Sequence, residues 1–464
     1  MTPAAGTVPG SFRDPSGFLF WHQDVLYRQV NLAYQEHYDQ LIASGLYREL
    51  QADGLLIGHE ECDLKLARSQ DAYKIIRPAL VPFISYPYEW CFSQLKDAAL
   101  LTLAIQKKAL EYGMSLKDAS AYNVQFVNGR PLLIDTLSFE KCPAGRPWVA
   151  YRQFCQHFLA PLALMAHRDV RLNQLSRLYL DGVPLDLASS LLPAGTRFTF
   201  SLLSHIHLHA RSQKHYADKP VKSQQRPMSR FALLALLNSL ENAVNKLHWQ
   251  PRGSEWADYY DHTNYSDQAL DLKEKLVGEF LERLRPRHVW DIGANTGIFS
   301  RLASGRGIPT VALDIDAAAV EKNYRRCRRD DEKSLLPLVG DITNPSPGIG
   351  WENGERMSLL QRGPVDTVLA LALVHHLAIS NNLPLAKIAA AFSRLCRDLI
   401  LEFIPKSDSQ VQRLLASRDD IFPGYHAAGL EKEFLPYFTI ERREAIPQSE
   451  RILYVMHSRN HAGQ

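Results

Sequence analysis

Residues 289–300 of this chain read VWDIGANTGIFS, which combines a strand, a turn and the start of a helix. The apolar strand ends at Asp291, and a helix is predicted to begin near Gly297. Gly293 lets the backbone turn sharply and leaves room for a ligand beside the main chain. The glycines are spaced GxxxG rather than GxGxxG, so the fingerprint of dinucleotide-binding proteins is absent.

Regular alternation of strands and helices surrounds this motif. From Leu270 onward, helical segments at 270–284 and 384–396 are interspersed with the apolar runs HVWDIG, TVALDI, LLPLVGD, VDTVLALAL and DLILEFI. This alternation predicts a doubly wound α/β domain, with a parallel sheet covered by helices on both faces. FTIERREAI and ERILYVMHS follow with no helix between them, which predicts an antiparallel pair that closes the sheet.

Polar side chains stand where these predicted strands end. Asp314 ends the second strand and could accept hydrogen bonds from both hydroxyls of a ribose. Asp341 ends the third strand and could accept one from an adenine amino group. The fourth strand, in VDTVLALALVHHL, delivers Leu373, His375 and His376 to the same edge. Ligands bind at the carboxyl edge of such sheets, so this edge is the predicted binding site.

The ordered series of these motifs resembles the class I S-adenosylmethionine-dependent methyltransferases over about residues 256–458. The antiparallel last pair also matches the Rossmann-like sheet of that family. The resemblance implies that S-adenosylmethionine is the cofactor. Asp291 and Gly293 would hold its methionine end, Asp314 its ribose, and Asp341 would lie on its adenine side.

The resemblance has one departure, because Asn295 stands where many members of that family have a glycine. The whole chain is also similar to bacterial two-domain proteins of the nodulation methyltransferase type. The cofactor-binding residues expected on these grounds are Asp291, Gly293, Asn295, Gly297, Asp314, Asp341, Leu373 and Tyr265.

Methyl transfer is an in-line displacement that an enzyme promotes mainly by aligning the acceptor with the methyl group. An oxygen or nitrogen acceptor must also lose a proton, and His375 and His376 are the candidate bases. The alternative for either one is a histidine that packs in the core. No Asn-Pro-Pro-aromatic tetrapeptide follows the fourth strand, which argues against amino groups of nucleobases or glutamine. No cysteine is found there either, which argues against carbon methylation of pyrimidines.

Two further stretches could line an acceptor pocket. WADYYDHTNYSD (256–267) precedes the first helix of the domain, and its aromatic residues could cover the cofactor or pack against the sheet. Residues 402–425 follow the fifth strand and could contact the acceptor or form a solvated loop and helix. The residues of interest are Tyr259, Tyr260 and Tyr265 in the first stretch and Glu402, Lys406 and Asp408 in the second.

The N-terminal half contains a less specific motif at 115–140, SLKDASAYNVQFVNGRPLLIDTLSFE. Asp118 and Asn123 are spaced D-x-x-x-x-N, and Asp135 follows a predicted hairpin. This resembles kinase-like phosphotransferases of the aminoglycoside-phosphotransferase type, which implies a base at Asp118 and magnesium ligands at Asn123 and Asp135. Arg28 stands where such kinases place a lysine, and the glycine-rich loop is missing. We therefore expect a degenerate kinase-like scaffold, or alternatively simple turn and cap residues.

The motif SHIHLHA (204–210) places His205, His207 and His209 at alternate positions. On a strand the three would share one face and could bind a metal ion, whereas in a helix they would not converge. No carboxylate or cysteine lies nearby, so no metal site is predicted.

Composition narrows the class of protein. The 464 residues are too many for one hydrophobic core, and a net charge of +3 gives no global field for binding nucleic acid. The six cysteines form no CxxC pair, which favours a reduced, cytoplasmic location. The N-terminus does not resemble a signal peptide, and no apolar run approaches the ~20 residues of a membrane span.

The sequence therefore predicts a methyltransferase that acts on an oxygen or nitrogen atom of a small molecule or saccharide. Two alternatives remain open, a bifunctional kinase-like methyltransferase and a non-catalytic regulator that binds S-adenosylmethionine. The expected organisation is a disordered tail (1–17), an α+β accessory domain (18–210), a linker (211–230), a connecting helix (231–255) and the methyltransferase domain (256–464).

Overall fold

The computed structural model describes residues 6–142, 145–210, 227–251, 267–416, 419–447 and 449–461. The chain divides into two compact units, the first made of Met1–Gln250 and Ile349–Arg356, the second of Pro251–Gly348 and Met357–Gln464. Within the described ranges, no helix combines the length and the apolar character needed to cross a membrane. Most of the predicted linker, at 211–226, lies outside these ranges.

The first unit begins with a five-stranded antiparallel sheet in the order β1-β2-β3-β5-β4. β2 and β3 form a hairpin, and its turn residues Gln23 and Asp24 have φ angles of 47° and 61°. Two positive φ angles suit a tight two-residue turn, because its twist then matches that of the strands. The strands are β1 (Gly6–Thr7), β2 (Gly17–His22), β3 (Val25–Asn31), β4 (His59–Cys62) and β5 (Ala72–Pro78).

One small hairpin, one further antiparallel strand pair and several helices complete the first unit. Asn128 and Gly129, both with positive φ, form the turn of the predicted hairpin between β7 and β8. β6 pairs antiparallel with β9, which follows β8 in the chain. These strands are β6 (Met114–Leu116), β7 (Val124–Val127), β8 (Arg130–Leu133) and β9 (Phe139–Lys141). The α-helices are Gln35–Ala43, Leu46–Ala52, Phe92–Glu111, Tyr151–Phe154, Ala160–His167, Leu175–Leu178, Leu185–Leu191, Phe200–Leu202 and Arg230–Lys246.

The second unit is built on a seven-stranded sheet in the order β12-β11-β10-β13-β14-β16-β15. Neighbouring strands among β10 to β14 are parallel, and β16 lies antiparallel between β14 and β15. This confirms the predicted doubly wound α/β sheet and its antiparallel last pair. The strands are β10 (Val289–Ile292), β11 (Thr310–Asp314), β12 (Leu335–Val339), β13 (Val365–Ala370), β14 (Cys396–Phe403), β15 (Phe438–Ala445) and β16 (Ile452–Ser458).

Apolar strands explain why this sheet is covered on both faces. Every residue of β10, β11 and β13 is buried, which requires packing against both sides of the sheet. Val277 and Phe280 of the first helix, for example, join one core cluster with Val289 and Leu369. The helices of this unit are Asp267–Leu284, Ser300–Ser304, Ala317–Arg329, Leu385–Leu395, Ser409–Leu415 and Ala427–Phe434.

The first unit is discontinuous in sequence. Residues 349–356 follow β12 in the chain but belong to the first unit. Ile349 packs against an aromatic cluster that includes Tyr122, and the guanidinium carbon of Arg356 lies 4.6 Å from the centroid of the Tyr122 ring. The first unit thus includes a segment that begins about 100 residues after the end of its main body, which the hydrophobic pattern of the sequence did not reveal.

We expect Arg356→Ala to loosen the first unit around Tyr122. Loss of a half-buried cation–π contact lowers the free energy of local opening by about 1 kcal/mol. Amides that exchange through local opening should then exchange about fivefold faster. Hydrogen–deuterium exchange with peptide resolution measures this effect. Arg413→Ala, which removes an exposed arginine of the second unit, is the matched control. The same exchange around Tyr122 in both variants would contradict the expectation.

Candidate functional site

A cavity of about 400 Å³ lies at the carboxyl edge of the seven-stranded sheet. β10 pairs with both β11 and β13, so the loops that follow these strands meet at this edge. The cavity brings together most of the residues predicted from sequence to hold the cofactor. Those that line it are Asp291, Gly293, Asn295, Asp314, Asp341, Leu373 and His376.

The turn after β10 is held in a conformation that few residues tolerate. Gly293 has φ of +79°, and a β-carbon there would lie 3.3 Å from Cδ1 of Leu373. Asn295 has φ of 51°, a left-handed conformation that asparagine adopts more readily than most residues. This explains why asparagine can replace a glycine here. Gly297 also has positive φ, but it is not among the residues that line the cavity; it leads into the helix Ser300–Ser304.

Asp291 presents a buried carboxyl group at the end of β10. Only 2% of the residue is exposed, and its Oδ2 accepts a hydrogen bond of 2.6 Å from the Ser300 hydroxyl. Burial raises the pKa of Asp291 to about 6. Ser300 was not singled out from sequence, although it is the last residue of the VWDIGANTGIFS motif.

Asp314 ties the end of β11 to the turn after β10. Its Oδ2 accepts the backbone N–H of Asn295 at 2.7 Å, and its Oδ1 accepts the backbone N–H of Asp316 at 2.8 Å. Burial raises the pKa of Asp314 to about 6. Each oxygen keeps a second lone pair, so the carboxylate can still accept hydrogen bonds from a ligand.

Asp341 closes the far side of the cavity after β12. Its Oδ1 accepts hydrogen bonds from the backbone N–H and the hydroxyl of Thr343, at 2.8 and 2.7 Å. Both residues line the cavity. The Asp341 carboxylate is therefore fixed by its own turn, with its second oxygen available.

The two predicted histidine bases occupy different environments. His376 lines the cavity, whereas His375 does not line it and is only 2% exposed. Their ring centroids are 4.0 Å apart. Burial lowers the pKa of His376 to about 4 and that of His375 well below its ordinary value. Both imidazoles are therefore neutral at pH 7, and His376 is the one that faces a ligand.

Lys273 is a cavity residue that sequence reasoning missed. Its Nζ donates to Oε2 of Glu402 at 2.7 Å and lies 4.3 Å from the centroid of the Phe299 ring. Lys273 and Phe299 both line the cavity. A lysine in an amphipathic helix is usually solvated, so the sequence carried little signal that this one is buried.

The other residues proposed for an acceptor pocket lie elsewhere. Glu402 is fully buried, Lys406 forms an ion pair with Asp420, and Asp408 caps the helix Ser409–Leu415. Glu402, Lys406 and Asp408 are not among the residues that line the cavity. The expected aromatic cover, Tyr259, Tyr260 and Tyr265, lies outside the described residues.

In the first unit, the kinase-like residues do come close together. Asn123 donates to the Ser138 hydroxyl at 3.2 Å, and Ser138 donates to Asp135 at 2.6 Å. Burial, together with the nearby charge of Asp135, raises the pKa of Asp118. Arg28 forms an ion pair with Asp135.

This arrangement does not fit a magnesium site. The guanidinium of Arg28 already neutralises Asp135, the carboxylate that would have to bind the ion. Asp135 also accepts the backbone N–H of Leu137, and Asp118 accepts that of Ser120, as turn and cap residues do. No group of metal-ligating side chains is found among the described residues.

His205 and His207 lie in a helical turn, Leu203–Leu208, and His209 follows in a further helical turn, so none of the three is on a strand. His205 is hydrogen-bonded to the hydroxyls of Tyr151 and Ser239, and His207 to those of Ser189 and Thr196. The ring nitrogens of His205 and His207 are thus hydrogen-bonded to separate sets of hydroxyl groups. These two histidines therefore have a structural role.

Comparison with known proteins places the chain in a family. No protein-family model matches the sequence. One similar solved structure is the magnesium protoporphyrin IX methyltransferase ChlM from Synechocystis PCC 6803, with S-adenosylhomocysteine (SAH) bound. It is 21% identical to this chain, and the match covers 44% of this chain and 93% of that chain with a TM-score of 0.31. The bifunctional kinase–methyltransferase WbdD is 16% identical, with coverages of 46% and 45% and a TM-score of 0.29.

A relative among curated proteins covers both units. The nodulation protein NoeA of Rhizobium meliloti (strain 1021) is 35% identical over 460 residues, which span 97% of this chain and 96% of that protein. With this identity over almost its whole length, the chain belongs to the family of the nodulation protein NoeA.

Proposed function

We propose that this chain is an S-adenosylmethionine-dependent methyltransferase that acts on an oxygen or nitrogen atom of a small molecule or saccharide. One observation carries the proposal. Asp291, Asp314 and Asp341, each at or just beyond the end of a parallel strand, line one cavity beside the left-handed turn at Gly293. This is the arrangement of acceptors that a nucleoside with a charged amino-acid tail requires.

Different residues of the cavity would bind different parts of the cofactor. Asp291 and the backbone at Gly293 would hold the methionine end, where a buried carboxylate can accept hydrogen bonds from an ammonium group. Asp314 would accept the ribose hydroxyls, and Asp341 would lie on the adenine side. Leu373 contributes an apolar wall next to Gly293. When bound, S-adenosylmethionine supplies the activated methyl group.

The chain's own contribution to the reaction is alignment and proton acceptance. His376 is neutral at pH 7, so a ring nitrogen can accept the proton that the acceptor loses. An imidazole with a pKa of about 4 is a weak base. It suffices because the acceptor's proton becomes strongly acidic as its oxygen or nitrogen bonds to the methyl carbon.

Binding of the cofactor should depend on Asp314. By calorimetry, we expect the wild-type chain to bind S-adenosylmethionine with a Kd near micromolar, about −8 kcal/mol. Asp314→Ala removes the ribose acceptor and the bond to Asn295, and should weaken binding at least about tenfold. Asp316→Ala is the matched control, because Asp316 caps the next helix without lining the cavity.

Two results would contradict this proposal. One is a folded wild-type chain that binds neither S-adenosylmethionine nor S-adenosylhomocysteine. The other is equal affinity in the Asp314→Ala and Asp316→Ala variants. Circular dichroism of each variant separates a lost contact from a lost fold.

Methyl transfer should depend on His376 in its neutral form. With methyl-labelled S-adenosylmethionine and fractionated cell extract as acceptor, His376→Asn should slow transfer by about 10²- to 10⁴-fold while the chain still binds S-adenosylhomocysteine. Because burial lowers the pKa of His376, the wild-type transfer rate at saturating S-adenosylmethionine should stay constant from pH 8 to 6 and fall only as the pH approaches about 4. Protonation of Asp291 and Asp314, with pKa values of about 6, should instead weaken cofactor binding below that pH. A loss of the saturating rate centred near pH 6.5 would contradict the assignment of His376.

A further inference from the structure

Glu402, at the end of β14, is a fully buried carboxylate with an unusual set of donors. Its Oε2 accepts the Lys273 ammonium at 2.7 Å and the backbone N–H of Ala372 at 2.9 Å. Its Oε1 lies 3.6 Å from Nη1 of Arg451. A buried carboxylate is tolerated only where such charges and hydrogen bonds replace water, so these groups fix its position.

Ala372 is the unusual partner in this set. It follows β13 with φ of 49°, in the left-handed region that an alanine side chain disfavours. In this conformation the β-carbon lies too close to the carbonyl oxygen of its own residue, which strains the backbone. The hydrogen bond from Ala372 to Glu402 is therefore made by a strained turn, and it stabilises that turn directly.

The position of this turn sets two parts of the cavity. The next residue, Leu373, packs against Gly293, with Cδ1 3.3 Å from the place of a β-carbon there. The carbonyl of Leu373 accepts the backbone N–H of His376 at 3.0 Å. A displacement at Ala372 would thus move both the wall against the cofactor and the histidine that faces the acceptor.

We propose that Glu402 is a positioning residue for methyl transfer, which holds Ala372 in its left-handed conformation and so places Leu373 and His376. This inference rests on the proposed function and adds a residue that does not line the cavity itself. Glu402→Met removes both carboxylate oxygens at similar side-chain length, so the Ala372 N–H loses its acceptor at Oε2. Ala372→Gly removes the strain, so the turn no longer needs that partner.

A double-mutant cycle in the full chain separates positioning from simple loss of a buried charge. The readout is calorimetric affinity for S-adenosylhomocysteine, with thermal unfolding measured alongside. We expect Glu402→Met to weaken binding about tenfold, Ala372→Gly to change it less than about twofold, and the double variant to recover to within about threefold of wild type. The unfolding midpoint should fall by a similar amount in both variants that carry Glu402→Met.

Asp408→Asn is the matched control. Asp408 binds Arg451 in the same network but makes no contact with the turn, so its loss should leave affinity unchanged. If Glu402→Met alone fails to fold, Lys273→Met/Glu402→Met, which removes both charges of the pair, replaces it in the cycle. Affinity that is unchanged in Glu402→Met, or that Ala372→Gly does not restore, would overturn the proposal.

Failure of the proposed function would look different. A wild-type chain that binds no S-adenosylhomocysteine would overturn the methyltransferase assignment. Hydrogen exchange at 371–377 in the same proteins would still test whether Glu402 holds the turn. Faster exchange there in Glu402→Met than in Asp408→Asn supports this part, and equal exchange overturns it.

Discussion

The hydrogen bond from the Asn295 backbone N–H to Asp314, 2.7 Å long, is the constraint on which the candidate site depends. It joins the turn after β10 to the end of β11, and it requires Asn295 to keep its left-handed conformation. Gly293, also left-handed, brings the same turn close to Leu373. Parallel strands with buried ends supply the rigid frame for these contacts, so a short stretch of backbone determines the shape of the whole cavity.

Burial of charge is the second theme of this domain. Asp291 and Asp314 have pKa values raised to about 6 because they are removed from water, and His376 is kept neutral for the same reason. Lys273 and Glu402 neutralise each other a short distance away. Burying such groups lowers the free energy of unfolding, and pKa values perturbed in this way are typical of functional sites. In the first unit, by contrast, the charge of Asp135 is paired with that of Arg28.

The sequence was most informative where chemistry and periodicity coincide. The parallel sheet, its antiparallel last pair, the turn at Gly293 and the strand-end aspartates could all be predicted, since each follows from local pattern. Lys273 and Ser300 could not, because their partners lie on other elements and a lysine in a helix is usually solvated. Glu402 was predicted only as a candidate acceptor contact, and its burial against Lys273 and Ala372 could not be predicted. Residues 349–356 escaped prediction for a related reason, as their place in the first unit depends on contacts distant in sequence.

The most direct test of this account is a crystal structure of the chain grown with S-adenosylhomocysteine. The account predicts the nucleoside in the cavity at the carboxyl edge of the sheet, with its ribose hydroxyls within hydrogen-bond distance of Asp314 and its amino-acid tail beside Gly293. An empty cavity at saturating ligand, or a nucleoside bound elsewhere on the chain, would contradict it.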